Sequence, residues 1–313
     1  CHTVFETETI PAGHNFVSGV CTRCGTPKAP TEGLEYMLNY DNKSAICIGL
    51  GSATDTDIVI ASEYNGLPVT LIDSKAFSDC SQLTSITLPD SLLEIYFRAF
   101  SGCSGLTSIT MRDGLLRIRD GAFSGCSSLT AVTIPDSVIS ISDFAFAGCS
   151  GITSITLPDS LLAIGDDAFY DCRGLTSITL PDSLLEIGDN AFMWCNGLIS
   201  VTLPDSLTSI GSGAFHVCSS LSSITIPDSV TSIGYDAFGY CSGLTSVTIP
   251  DSVTSIGSGV FNYCSGLEKI VVSSGNKVYH DSGNCLIETA SKTLIAGCKK
   301  SIIPADGSVT SIG

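Results

Sequence analysis

Four residues near the N-terminus have the types and spacing of a metal site. Cys21 and Cys24 are separated by two residues, and a glycine follows directly. This spacing lets two thiolates meet one tetrahedral zinc ion, and His14 and Cys1 could complete the four ligands. A disulfide between Cys21 and Cys24, a longer disulfide pair and a loosely ordered appendage are the alternatives. We predict a structural zinc site here, not a catalytic one, and expect no other cofactor.

Nine further cysteines follow a different rule, because each lies three residues after a phenylalanine and 23 residues from the next cysteine. Metal sites need ligands that converge from mixed spacings, and parallel side chains in neighbouring layers are poorly oriented for disulfides. Free cysteine often behaves as a small buried hydrophobic residue. We therefore predict reduced, buried and unreactive thiols from Cys80 to Cys264, beside phenylalanines that run from Phe77 to Phe261.

No set of residues suggests catalysis, which needs an acid, a base or a nucleophile that converge in one pocket. The four histidines are His2, His14, His216 and His280, and only His216 lies in a regular part of the sequence. A catalytic triad cannot be built from them. The sequence therefore predicts a protein that is not an enzyme.

The regular spacing comes from a repeat. Eight consecutive units of 23 residues run without insertion from Leu83 to Gly266. Numbered from its first residue, the unit at 175–197, LTSITLPDSLLEIGDNAFMWCNG, has apolar residues at positions 1, 4, 6, 10, 13, 17, 18 and 21, which we expect to point inward. Alternation at positions 4 to 6 predicts a strand, ended by the proline at position 7. Glycine at position 14, and often at position 23, is expected to permit the turns.

A single unit has too few apolar residues to cover its own inner face, so the units must stack. The fold class is a repeat solenoid, predicted as a right-handed β-solenoid whose parallel strands form a concave sheet. At about 4.8 Å per strand, eight units would extend roughly 40 Å.

The consensus Leu-x-x-Ile-x-Leu-Pro-x-Ser-Val/Leu-x-x-Ile-Gly-x-x-Ala-Phe-x-x-Cys resembles the BspA-type leucine-rich repeat, from Ile58 to Cys264. The resemblance implies a leucine-rich-repeat solenoid. It also implies a surface or secreted protein of gut or oral bacteria that acts in adhesion and binding, without catalytic motifs. The sequence departs from the consensus at Arg112, in place of proline, and at Gly114, in place of serine.

The two ends differ from the regular units. Residues 1–30 form a small Cys/His segment, and residues 31–60 alternate apolar and polar side chains across a turn, which predicts a β-hairpin cap. The solenoid spans 61–313, with regular units at 83–266 and a divergent unit at 267–303 whose two apolar runs predict a second hairpin. The chain then resumes the repeat and reaches Gly313 in mid-unit, which suggests an array that is truncated there.

Two exposed columns are nearly invariant, with threonine at position 5 and aspartate at position 8 of all eight units. The threonines should form a hydroxyl-covered face on which a ligand could be bound only by repetition. For the aspartates we expect turn chemistry, in which the carboxylate accepts backbone N–H groups. Calcium is the alternative, although it usually needs oxygens from several chain segments.

Variation is concentrated at positions 19 and 20, where later units carry large side chains and earlier units carry Ser, Gly, Ala or Asp. Exposed aromatic residues in a row often mark an interaction surface. Packing against adjacent units is the alternative. The candidate ligand-binding residues are Tyr170, Met193, Trp194, His216, Tyr240 and Tyr263, with Tyr235 expected nearby.

The charge balance limits the partners. The net charge is −17, from 14 Lys and Arg against 31 Asp and Glu, which argues against nucleic acid and against anionic membrane surfaces. No run of about 18 apolar residues is present, so we expect no membrane insertion. The expected partner is an unidentified protein or polysaccharide, and the chain is expected to be monomeric.

We expect an extracellular or cell-surface location, from the family resemblance and the acidity, although no signal peptide is present in the chain as given. Abundant free thiols fit a reducing, anaerobic setting. Two functions remain: an adhesin-like binding module for a host protein or glycan, and a structural stalk that displays another domain.

Overall fold

The computed structural model describes residues 16–17, 20–21 and 28–313. This part of the chain consists of strands and turns, without an α-helix. Over these residues, nothing helical is long and apolar enough to cross a bilayer. The N-terminal strands are β1 (Phe16–Val17), β2 (Val20–Cys21), β3 (Glu35–Leu38), β4 (Ala45–Gly49), β5 (Asp57–Val59), β6 (Glu63–Tyr64) and β7 (Leu67–Ile72).

Each regular unit contributes one or two short strands. In chain order they are β8 (Ser85–Thr87), β9 (Glu94–Ile95), β10 (Ser108–Thr110), β11 (Arg117–Ile118), β12 (Ala131–Thr133), β13 (Ser140–Ile141), β14 (Ser154–Thr156), β15 (Ala163–Ile164), β16 (Ser177–Thr179), β17 (Glu186–Ile187), β18 (Ser200–Thr202), β19 (Ser209–Ile210), β20 (Ser232–Ile233), β21 (Ser246–Ile249) and β22 (Ser255–Ile256). The divergent end contains β23 (Lys269–Val272), β24 (Tyr279–Ser282), β25 (Cys285–Glu288), β26 (Thr293–Ala296) and β27 (Ser311–Ile312).

The predicted parallel strand is present, but it usually begins one residue early, at position 3, and its sheet is interrupted. The strands pair in the groups β5–β8–β10, β12–β14, β16–β18 and β21–β23. A second sheet, at positions 12 and 13 of the regular units, is continuous and joins β3, β4 and β7 to every unit as far as β22; it is parallel except where β3 pairs with β4. The sequence did not predict this second sheet, because two-residue strands leave no alternating pattern.

A third ladder of hydrogen bonds joins the units where no strand is present. The backbone N–H of Asn190, Phe192 and Trp194 each donates to a carbonyl of the following unit, at 2.7, 2.8 and 2.9 Å. The intervening N–H groups of Ala191 and Met193 donate within their own unit, to the residue three positions earlier. Stacking therefore satisfies backbone groups that a lone unit would leave to water.

The interior is continuous, as predicted. In the unit at 175–197 the eight predicted inward side chains are between 0% and 5% exposed. Consecutive phenylalanines from Phe77 to Phe261 stack with ring centroids 5.2–5.8 Å apart and with nearly parallel planes. Full burial of one such ring contributes about 1.5–3 kcal/mol, so the stacked columns hold the array together.

Glycines at positions 14 and 23 were predicted to permit the turns through their backbone freedom, and this explanation was wrong. Left-handed backbone occurs at positions 16 and 20 of the units, not at positions 14 and 23. In the later units glycine at position 14 fits a close approach between layers, since a Cβ on Gly188 would lie 2.6 Å from Asp166 Oδ1. At position 23, a Cβ on Gly174 would lie 2.6 Å from the Ser150 carbonyl oxygen.

Both ends carry antiparallel strands. At the N-terminal end β3 and β4 pair as a hairpin, and β4 continues in parallel register onto β7. At the other end β24, β25 and β26 pair in antiparallel order, and β27 adds in parallel to β26. The predicted domain boundaries themselves stay predictions.

Candidate functional site

The backbone at position 20 is left-handed in every unit. Residues with positive φ there are Asp79, Gly102, Gly125, Gly148, Asp171, Trp194, Val217, Tyr240 and Tyr263. For a residue with a side chain this conformation is unfavourable by roughly 1–2 kcal/mol, whereas glycine adopts it freely. Three of the earlier layers therefore carry glycine, which this backbone favours, two carry aspartate, and the last four regular units carry larger side chains that it disfavours.

Three of the predicted candidates form a contiguous ring surface. The Tyr240 and Tyr263 rings stack with centroids 4.4 Å apart, and the His216 ring meets Tyr240 edge-on at 5.2 Å. Tyr240 is 44% exposed and Tyr263 is 71% exposed. These rings extend over three units, so a partner could contact them together. We call the six candidates at positions 19 and 20 the aromatic edge: Tyr170, Met193, Trp194, His216, Tyr240 and Tyr263.

Trp194 continues this edge toward the earlier units through a charged neighbour. The guanidinium carbon of Arg173 lies 5.9 Å from the Trp194 ring centroid, within reach of a cation–π contact. Arg173 is held by Asp171, with Nε and Oδ1 2.5 Å apart. This hydrogen bond, followed by the attraction of the two charges, raises the pKa of Arg173. Tyr170 and Met193 are half-buried.

His216 is packed where the next unit lacks a side chain. A Cβ on Gly239 would lie 2.7 Å from His216 Nδ1, so glycine at this place makes room for the ring. Nδ1 itself is buried and has no hydrogen-bond partner in the described part of the protein. A buried ring nitrogen without a partner is unusual.

Tyr235 stands apart from the aromatic edge. It occupies position 15, is 57% exposed and makes no ring contact with the other candidates among the residues described. A hydrogen bond to Asp236, reinforced by its negative charge, raises the pKa of the Tyr235 hydroxyl.

The predicted zinc ligands Cys1, His14 and Cys24 lie outside the described residues, and Cys21 is described only as the end of β2. Over the residues that are described, no group of three or more His, Cys, Asp or Glu side chains could hold a metal ion. The zinc site stays a prediction.

The cysteine column is buried and chemically quiet, as predicted, except that Cys80 at its first layer is half-buried. From Cys103 to Cys264 each Sγ donates to the carbonyl oxygen of the phenylalanine in the preceding unit, at 3.0–3.2 Å. Burial raises the pKa of Cys195 to about 12. Since the thiolate is the reactive form, these residues serve packing and hydrogen bonding.

The predicted turn chemistry of the position 8 aspartates was wrong. No hydrogen bond to these eight carboxylates is found in the described part of the chain, and the Asp90 side chain is 90% exposed beside Arg112. The hydrogen bonds at this turn come from the serine at position 9, whose Oγ donates to the position 10 carbonyl of the preceding unit, as from Ser183 to Leu161 at 2.6 Å. Aspartates at position 15 accept backbone N–H groups instead, as Asp166 does from Asp189 at 2.7 Å.

Comparison with known proteins agrees with this geometry. A family model described as BspA type leucine rich repeat region matches residues 70–198 and 185–302. The chain belongs to the BspA-type leucine-rich repeat family. The leucine-rich repeat protein TpLRR of T. pallidum is 32% identical, with 69% of this chain and 90% of that chain covered and a TM-score of 0.52. A leucine-rich repeat protein from Bacteroides ovatus is 26% identical, with 90% and 75% covered and a TM-score of 0.60. A search of curated proteins gives no match.

One exposed column of the BspA-type units was not anticipated from the sequence. Position 11 holds Leu93, Leu116, Ile139, Leu162 and Leu185, each more than 40% exposed. The signal was present, because the following three units carry threonine at this position. A position that is aliphatic in some units and polar in others lies on the surface. An aliphatic residue at such a position is therefore unexpected. We call these five residues the aliphatic ladder.

Proposed function

We propose that this protein is a non-enzymatic binding scaffold of the bacterial surface or extracellular space, and that its aromatic edge binds a host protein or glycan. It belongs to a family of leucine-rich repeat proteins, and stacked repeats of this kind offer extended surfaces for binding. The finer assignment to adhesion is supported by the chemistry of the edge. Its surface location is supported by the family resemblance, and its acidity argues against nucleic acid.

The observation that carries the proposal is the backbone cost at position 20. Trp194, Val217, Tyr240 and Tyr263 adopt φ values of 65°, 61°, 59° and 56°, where Gly102, Gly125 and Gly148 show that glycine suffices for the fold. Strain that the fold does not need is more often kept for function. The two tyrosines remain exposed, so burial in the core does not offset this cost.

The edge has the composition of a recognition surface. Tyrosine and tryptophan offer large rigid contact areas and lose little conformational entropy on binding. Their rings can pack on the apolar faces of sugars or on apolar side chains, while the tyrosine hydroxyls provide hydrogen bonds. Rings in successive layers favour an extended ligand that runs along the solenoid axis.

A structural stalk is the second candidate function. The observation that favours it is the uninterrupted core together with three ladders of hydrogen bonds between units, which make a stiff rod. A stalk needs no exposed aromatic residues, so the aromatic edge separates the two functions.

Binding to mucin, matrix proteins and a glycan array tests the proposal. The variant Trp194→Gly/Tyr240→Gly/Tyr263→Gly removes the rings and keeps a backbone that other units adopt with glycine. Truncating several hot-spot residues costs about 2 kcal/mol or more, so we expect at least a 30-fold loss of affinity. The matched control is Tyr40→Ala, since Tyr40 is 96% exposed and lies in the N-terminal hairpin.

Three results are informative. Binding by the native protein that is lost in the triple variant and kept in the control supports the edge. Equal binding by the triple variant and the native protein contradicts it. Absence of any bound component favours the stalk.

A further inference from the structure

A surface cleft crosses three neighbouring layers near the N-terminal end of the solenoid. It has a volume of about 320 Å³ and is lined by Ser74, Tyr96, Phe97, Arg119 and Asp120. These residues occupy positions 14 and 15 of the layers that begin at residues 60, 83 and 106. The volume lies at the lower end of the range for small-ligand sites. None of the five residues belongs to the aromatic edge, which lies at positions 19 and 20 of later units.

Two large side chains at position 14 set these layers apart. Glycine occupies this position in the last five regular units. There the layers approach closely, since a Cβ on Gly165 would lie 2.8 Å from the backbone nitrogen of Asp143. In the first two regular units the residue is Tyr96 or Arg119, and its N–H still donates to the preceding layer, at 3.0 and 2.9 Å. The ladder of hydrogen bonds is therefore kept, while the surface beside it is remodelled by two side chains.

Asp120 has a carboxylate that the fold does not use. The three aspartates that follow it at position 15 each accept a backbone N–H of the next layer, as Asp143 does from Asp166 at 2.9 Å. Asp120 is exposed, and within the described ranges its carboxylate accepts no hydrogen bond and forms no ion pair. It is therefore an acceptor that a ligand can use.

Arg119 is held at the cleft by a network of ion pairs. Its Nη2 lies 3.0 Å from Glu94 Oε2, and Arg117 Nη1 lies 2.7 Å from the other oxygen of the same carboxylate. The guanidinium carbon of Arg119 also lies 5.8 Å from the centroid of the Tyr96 ring. An arginine has five N–H donors, so Arg119 keeps donors for a ligand. A donor that is already ordered loses less conformational entropy on binding.

Phe97 gives the cleft an apolar wall. It is 41% exposed, whereas the other layers from residue 60 to residue 266 carry serine, aspartate or tyrosine at position 15. The C–H groups on the face of a sugar ring pack on such an aromatic ring, and the hydroxyl groups around the sugar remain free for polar partners. The guanidinium carbon of Arg98 lies 5.0 Å from the Phe97 centroid, so a cationic ligand would meet a like charge beside this wall.

The charges of the cleft favour a neutral ligand. Asp120 repels anions, and Arg119 repels cations. The cleft combines donors, from Arg119 and the hydroxyls of Ser74 and Tyr96, with acceptors, from Asp120 and the same hydroxyls. A molecule with several hydroxyl groups suits this mixture, because each hydroxyl both donates and accepts. Together with the apolar wall, these groups match a sugar.

We propose that this cleft binds one neutral sugar unit. The sugar ring packs on Phe97, its hydroxyls donate to Asp120, and others accept from Arg119. The site is separate from the aromatic edge, so this proposal does not depend on the function proposed for the edge.

Saturation-transfer NMR with single sugars tests the proposal. The probes are glucose, galactose and mannose, each with its uronate and its 2-amino counterpart, at about 10 mM, so that millimolar dissociation constants are detected. The cleft variant is Phe97→Ser/Asp120→Ser, which should fold because Ser74 occupies position 15 of the neighbouring layer. The matched control is Phe144→Ser/Asp136→Ser, which removes an exposed phenylalanine and an exposed aspartate outside the cleft.

We expect at least one neutral sugar to receive saturation at its ring C–H protons, and its two charged counterparts to bind more weakly. Affinity should fall at least about 10-fold in the cleft variant and be kept in the control. It should also be kept in Trp194→Gly/Tyr240→Gly/Tyr263→Gly, which lacks the rings of the aromatic edge.

Three results would overturn the proposal. They are the absence of binding by every neutral sugar, a cleft variant that binds like the native protein, and tighter binding of a charged counterpart. If the triple variant of the aromatic edge loses the sugar and the cleft variant keeps it, the sugar binds at the edge. That outcome contradicts the cleft site and leaves the function proposed for the edge intact.

Discussion

Replacing Tyr263 by glycine and by alanine measures the backbone strain on which the functional proposal depends. Tyr263 has a φ of 56° and is 71% exposed, and its main ring contact is the stack on Tyr240. Both substitutions remove that stack, so the difference between them reports only on the backbone. Alanine keeps the left-handed penalty of roughly 1–2 kcal/mol, and glycine removes it. Glycine in turn loses about 0.5–1 kcal/mol more conformational entropy on folding.

The glycine variant should therefore be more stable than the alanine variant by about 0.5–1 kcal/mol. This sign is the reverse of the usual one. The preceding residue, Asn262, is the matched control, because it is also exposed and does not have a positive φ. There alanine should be more stable than glycine by about 0.5–1 kcal/mol.

Urea-induced unfolding followed by circular dichroism measures all four variants under one condition. We predict that the difference in free energy of unfolding between the glycine and alanine variants has opposite signs at residues 262 and 263. If the alanine variant is more stable than the glycine variant at both positions, the backbone of Tyr263 is not strained, and the argument from strain to a binding edge fails.

Three further predictions concern the thiols, the turns and the N-terminal segment. Burial raises the pKa of Cys195 from 9.0 to about 12, so its contribution to stability is complete below pH 9 and is lost as the pH rises toward 12. Between pH 7.5 and 10.5 the native protein should lose up to about 2 kcal/mol more stability than Cys195→Ala, measured by urea unfolding. Ser183→Ala should lower the free energy of unfolding by about 1 kcal/mol, because it removes the 2.6 Å hydrogen bond to Leu161. Asp182→Ala should change it by less than about 0.5 kcal/mol in the same assay. If Asp182→Ala is the more destabilising of the two, the aspartate has the turn role after all. Metal analysis should find about one equivalent of zinc that Cys24→Ser loses, and a metal-free native chain would leave the disulfide or the loose appendage.

The interior could be predicted from the sequence because identical residues recur at a constant interval. Phe192 and Cys195 belong to columns with the same residue in almost every layer, and only stacking explains such repetition. The second sheet could not be predicted, because a strand such as Glu186–Ile187 is too short to alternate and is defined by its neighbours in other units.

The turns escaped prediction for a related reason. Position 20 holds glycine at Gly125, aspartate at Asp171 and tryptophan at Trp194, so the residue types gave no common signal for one backbone conformation. The hydrogen bonds between units impose that conformation on every residue, whatever its preference. The side chains of the aromatic edge were found from the sequence as variation in a regular column. Their strain became visible only with the backbone angles.

The aliphatic ladder shows the limit of reasoning from pattern alone. Position 10, as at Leu161, was correctly predicted to point inward, but the exposure of the aliphatic residue that follows it, as at Leu162, was not anticipated. Comparison with a later unit resolves the two, since Leu207 is followed by Thr208.

Deletion of one whole unit tests most directly that the 23-residue units are equivalent stacked layers. Removal of residues 175–197 joins position 23 of one unit to position 1 of the next and places Phe169 directly on Phe215. Because each layer contacts only its neighbours, this protein should keep its β-sheet circular dichroism and unfold cooperatively, at a somewhat lower midpoint. Removal of residues 175–185, about half a unit, puts every later column out of phase and should abolish cooperative unfolding. If the whole-unit deletion also fails to fold, or if both deletions are tolerated equally, the units are not interchangeable layers and the stacked solenoid is contradicted.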